Sequence, residues 1–117
     1  MISSTAAAIQ FTEQLERRFT INNTVRAPSL AGQDLKLFAK SVHKDLTRGS
    51  GSRARSRPTN TRGMLRYLVN KEAEQIGIYN YHLASNFAEV LMKIASDQDK
   101  ERYKELADHV NDIFRSH

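Results

Sequence analysis

The chain has 117 residues, of which 39% are hydrophobic and 26% charged, and it carries 18 Lys and Arg against 13 Asp and Glu for a net charge of +5. That length suffices for about one core, the ordinary composition excludes a chain disordered throughout, and the absence of cysteine excludes disulfide staples, thiolate nucleophiles and thiolate metal sites. The charge is uneven: residues 1–66 hold 12 Lys and Arg against 4 Asp and Glu (+8), whereas residues 67–117 hold 6 against 9 (−3), which points to a polyanionic partner for the first part and a solvated or protein-facing surface for the second.

Over residues 4–19, Ala8, Phe11, Leu15 and Phe19 recur at helical spacing, with Ser and Thr available as caps, and predict a first helix. Residues 20–28 contain Asn22-Asn23 and end in Ala27-Pro28, which disfavours helix, so a connector is expected. A second helix is expected from Ser29 to about Arg48, with Leu35, Phe38, Ala39, Val42 and Leu46 on its apolar face and Gly49 as its stop. Its other face carries Lys36, Lys40 and Lys44, one ammonium group per turn.

Residues 49–63 read GSGSRARSRPTNTRG and contain no large apolar side chain. Such a segment has nothing to bury against the entropy of ordering, so a flexible basic loop is expected. Met64, Leu65, Leu68, Val69, Ala73 and Ile76 predict a third helix, ended by Gly77 in a left-handed turn. Leu83, Phe87, Val90, Leu91 and Ile94 predict a fourth from about Asn80, and Ser96 with Asp99 resembles a capping box opening a fifth. The fifth has the clearest pattern, in Tyr103, Leu106, Ala107, Val110, Ile113 and Phe114.

No sustained alternation of apolar and polar residues predicts a strand. The expected fold class is all-α, a small bundle of about five helices with the flexible basic loop between helices 2 and 3. Its parts are an N-terminal helical hairpin over 1–48, the loop over 49–63 and a C-terminal three-helix unit over 64–117. No apolar run reaches the roughly 20 residues of a membrane helix. The first residues lack a secretory signal, and Glu13 and Glu16 are unlike an acid-poor transit peptide. A cytoplasmic protein without a membrane partner is expected, or one incorporated into an assembly formed in the cytoplasm.

Arg48, Arg53, Arg55, Arg57, Arg62 and Arg66 lie in a stretch with no acidic residue. The guanidinium keeps its charge and offers a planar fork of donors that fits phosphate, so this tract, with Lys36, Lys40, Lys44 and Lys71, is the candidate nucleic-acid backbone surface. A solvated linker, or a loop docked on an acidic protein, is the bland alternative. His43, His82, His109 and His117 are scattered without metal-binding spacing, and paired carboxylates such as Asp97 and Asp99 fit a helix start. Neither a cofactor nor catalysis is expected. The apolar stripe of helix 5 (Tyr103, Leu106, Val110, Ile113, Phe114) fits a core first and a dimer or assembly interface second.

Residues 69–88 resemble the helix-turn-helix of phage Cro and repressor proteins: Ala73 stands where a small residue lets two helices approach, Gly77 at the turn and Leu83 where an apolar residue locks the second helix, with Ile76 and Ile78 flanking. The resemblance implies that the second helix enters the major groove and presents Asn80, Tyr81, His82, Ser85 and Asn86 to bases. That helix carries no Lys or Arg before Lys93, so Lys71 and the preceding arginines would supply phosphate contacts. The resulting expectation is a small basic DNA-binding protein of the regulator or packaging-factor kind. The alternative is a non-enzymatic structural or adaptor component of a virion or other assembly, homo-oligomeric or mixed, or an inhibitor of a nucleic-acid-binding protein.

Overall fold

The computed structural model describes residues 2–47, 59–77 and 79–116, with side chains from Ala6 onward, and the fold is all-α. Among the described residues there are five helices, α1 (Ile2–Arg18), α2 (Leu35–Thr47), α3 (Thr61–Ala73), α4 (Tyr81–Ile94) and α5 (Asp97–Ser116). A two-stranded antiparallel ribbon, β1 (Thr20–Ile21) with β2 (Thr24–Val25), follows α1. The expected loop centre at 48–58, its arginines and the Gly49 stop lie outside the described residues, as does Ile78.

The ribbon replaces the expected plain connector. Thr20 pairs with Val25 and Ile21 with Thr24, and the turn residues Asn22 and Asn23 have φ of 53° and 64°. Two consecutive positive φ values are what a tight type I′ hairpin requires, and asparagine tolerates them better than most residues. Two-residue strands are too short to show alternation in sequence.

Helix 2 starts later than Ser29. Gly32 takes φ +82°, outside helical space, and Oδ1 of Asp34 accepts from the N–H groups of Lys36 (3.1 Å) and Leu37 (3.2 Å). Asp34 is therefore the N-cap, satisfying donors that the first helical turn leaves unpaired. Leu30 is nonetheless buried, because the turn before α2 is itself held down: Arg102 Nη2 donates to the carbonyls of Leu30 and Gln33, each at 2.9 Å.

Helix 3 begins at Thr61, so the last three residues of the expected loop are helical. Asn60 caps it, its Oδ1 accepting from Gly63 N–H at 2.8 Å. The helix ends at Ala73 through tighter turns, Gln75 N–H to Glu72 O (3.1 Å) and Ile76 N–H to Ala73 O (3.0 Å). Gly77 consequently does not supply a left-handed exit; among the described residues, Gly32 is the glycine with positive φ.

The chain divides into two compact units, Met1–Ser29 with Leu65–Ser96, and Leu30–Met64 with Asp97–His117. In the first, α1 packs on α4, and Phe11, Leu15, Val69, Ala84 and Leu91 are fully buried or nearly so. Phe19 joins them, its ring 5.6 Å from that of Phe87. In the second, α2 packs on α5 through Leu35, Ala39, Val42, Tyr103, Leu106 and Val110. These partnerships differ from the contiguous division expected from sequence, a hairpin over 1–48 and three helices over 64–117. Periodicity marks which face of a helix is buried and is silent on which helix covers it.

Candidate nucleic-acid interface

The second unit positions the lysine row. With Leu35, Ala39 and Val42 turned to the core, Lys36, Lys40 and Lys44 fall on the opposite side of α2, and all three are exposed. Four-residue spacing separates successive side chains by about 6 Å along the axis. None of the three forms an ion pair among the described residues. Arg62, in the first turn of α3, is also exposed and belongs to the same unit.

Two other predicted cations are engaged elsewhere. Arg66 Nη2 meets Glu89 Oε2 at 3.1 Å, and its Nε is enclosed without a hydrogen-bond partner among the described residues. Lys71 Nζ lies 3.6 Å from Glu74 Oε1. These two positions, read from sequence as phosphate contacts, are tied within the first unit. Arg66 finds its acidic partner on α4 and Lys71 finds one in the turn that follows α3, which a count of cations along the chain does not reveal. Arg48, Arg53, Arg55 and Arg57 lie outside the described residues.

The residues expected to face bases divide as well. Tyr81, His82 and Asn86 are exposed, His82 and Asn86 one turn apart on α4. Asn80 is exposed but occupied: its side chain accepts from Leu83 N–H at 3.1 Å and caps α4. Ser85 Oγ is shut off from solvent and unpartnered among the described residues, so it is turned away from any groove. Residues 74–80 form a seven-residue connector between α3 and α4, longer than the three- or four-residue turn usual in a helix-turn-helix.

The stripe proposed as a second-choice protein interface is mostly core. Tyr103, Leu106 and Val110 are fully buried, and burial pushes the Tyr103 phenol above its ordinary pKa of 10.0. Ile113 and Phe114 are half-buried, the Phe114 ring 4.6 Å from that of His43 at 67°. The large apolar side chains left exposed include Val90 and Ile94 on α4, both 50% exposed, which periodicity had assigned to the buried face.

Sequence reasoning missed Asn111. Its Oδ1 accepts from Thr59 N–H at 2.7 Å and its Nδ2 donates to Thr59 O at 2.9 Å. The partner is 52 residues away, so local spacing holds no trace of the pair. Asp34 and Asn60 were not read as helix caps either, Asp34 falling inside the expected second helix and Asn60 inside the expected loop.

No helix among the described residues is long and apolar enough to cross a membrane. No family model matches the chain, and neither does any curated protein or solved structure.

Proposed function

We propose that the chain is a small nucleic-acid-binding protein that grips the phosphate backbone through the outward face of α2. The observation that carries this reading is the row Lys36, Lys40 and Lys44, exposed and without carboxylate partners among the described residues. Sequence adds to it: residues 46–71 contain seven Lys and Arg and no Asp or Glu. Ammonium groups held on a rigid helix displace counterions from a polyanion, and the released ions supply the free energy of binding. Recognition of bases by Tyr81, His82 and Asn86 is the finer form of the proposal, supported by their exposure alone.

The test is a titration of fluorescent duplex DNA, single-stranded DNA and double-stranded RNA over a range of salt, with anionic lipid vesicles alongside. Replacing Lys36, Lys40 and Lys44 by Gln should make the log–log salt slope for duplex DNA shallower by about 2.7, at about 0.9 per lost phosphate contact. Identical slopes for the wild-type and triple-variant proteins would sink the proposal, as would binding to vesicles but to no nucleic acid.

A further inference from the structure

The outward face of α2 offers charge and little else. Its exposed residues are Lys36, Leu37, Lys40, Ser41 and Lys44. The two ring-bearing side chains of the helix, Phe38 and His43, are half-buried, and His43 stands against Phe114. The face therefore has no exposed ring on which a base could stack, and no Asn, Gln or Arg whose paired groups could read a base edge. A lysine ammonium is a compact point charge with rotatable donors, which suits the phosphate of any nucleotide. No carboxylate among the described residues pairs with these lysines, and residues 1, 48–58, 78 and 117 contain no Asp or Glu.

Geometry gives the charges an order. From Lys36 to Lys44 the helix rises about 12 Å, and each four-residue step turns by about 40°, so the three groups form one inclined line. Leu35, Ala39 and Val42 bury the opposite face where α2 packs on α5, which fixes that line on a rigid element. A double helix presents one charge per roughly 1.7 Å of axis, about seven over the length of the row, and one strand alone presents about half as many. We infer, on the nucleic-acid reading above, that the α2 row is a sequence-blind contact for the double helix. Its three lysines take phosphates as a line, favour a duplex over a single strand because the charge is denser, and contribute equally on every sequence.

The experiment uses the full chain, two fluorescent DNA duplexes of equal length and unrelated sequence, and one of their single strands. Wild type is compared with the triple Lys36→Gln, Lys40→Gln, Lys44→Gln variant. It is also compared with Lys40→Ser combined with Ser41→Lys, which conserves composition and net charge but moves one ammonium group about 100° round the helix. The triple change should make the salt slope shallower by about 2.7 on both duplexes and by about 2.1 on the single strand, a gap equivalent to about fourfold in affinity at about 0.1 M salt. Exchanging Lys40 and Ser41, both exposed, should remove about 0.9 of the duplex slope with helicity unchanged. Wild-type binding by the exchanged variant would show that net charge alone acts, and the row would be lost as an explanation. The strand comparison does not need that variant, so it decides the matter if the variant fails to fold. A triple-variant loss as large on the single strand as on the duplexes, or one differing between the duplexes by more than about fivefold, the size of a base-specific contact, would overturn the inference. No binding of any probe by the wild-type protein, or identical slopes in wild type and triple variant, overturns the nucleic-acid reading itself. That outcome is distinct from binding that heeds sequence or ignores the order of the lysines.

Discussion

The two compact units use their surfaces differently. The first leaves Ile9, Ile21, Tyr79, Tyr81, Val90 and Ile94 between 44% and 58% exposed and ties Arg18, Arg66 and Lys71 to glutamates. In the second, Leu37 is the large apolar side chain exposed among the described residues, and the α2 lysines have no acidic partner there. A cation written in a sequence is therefore not always a cation offered to a ligand. What decides is whether folding brings a carboxylate to it, and among the described residues α3 meets such carboxylates while the outer face of α2 does not.

The largest effects should come from the two cores. Phe11 and Leu106 are both fully buried, the Phe11 ring meeting Tyr79 edge-on at 6.2 Å. Replacing either by Ala removes transfer free energy and leaves a cavity, at a cost of about 2–5 kcal/mol, measured by urea denaturation. Phe114, half-buried, should cost visibly less than Leu106. Equal losses at 106 and 114 would mean that the C-terminal end of α5 is covered by something, such as a second copy, and would shift weight to the assembly reading.

The division of the chain explains how much was legible in the sequence. Helical periodicity predicted all five helices, and on α5 the faces fell where expected, with Tyr103, Leu106, Ala107 and Val110 in the core. It failed on α4, where Val90 and Ile94 continue the apolar pattern yet stay exposed: spacing says which residues share a face, and the width of the covering neighbour decides how much of that face is buried. The start of α2 was placed at Ser29, too early, although Gly32, ahead of the Asp34 cap, favours a break. Of the candidate site, the lysine row was readable from four-residue spacing. The capture of Arg66 by Glu89 and of Thr59 by Asn111 depends on contacts 23 and 52 residues apart, which no local pattern encodes.

A smaller effect separates two asparagines on one helix. Asn80 caps α4, and Asn86 is exposed on its surface. Asn80→Ala should cost about 1 kcal/mol, within the usual range for an N-cap, while Asn86→Ala should change stability by less than about 0.5 kcal/mol. Thermal unfolding of the two variants side by side measures this. In a random-site selection with duplex DNA, Asn86→Ala then becomes the cleaner probe of base reading, because any loss of preference cannot be traced to a loosened helix. If Asn80→Ala proves as stable as wild type, α4 starts elsewhere and Asn80 returns to the set of side chains available to a ligand.

The smallest effect is also the most direct test of paired against unpaired cations. Arg18 Nη1 lies 3.1 Å from Glu72 Oε2, with 37% and 49% of the two side chains exposed, so the pair is a surface one worth about 0–1 kcal/mol. Arg18→Gln and Lys40→Gln each lower the net charge by one unit, so any effect of overall charge on DNA binding is the same for both. They differ in what the lost cation was doing. Lys40 is exposed and has no acidic partner among the described residues, and its removal should make the salt slope for duplex DNA shallower by about 0.9. Arg18 is already neutralised by Glu72, and its removal should leave the slope as it was while shifting the urea midpoint only slightly. A slope change at Arg18 equal to that at Lys40 would show that DNA competes successfully with Glu72 for the guanidinium. Pairing within the fold would then no longer separate structural cations from ligand-binding ones, and the first unit would join the interface.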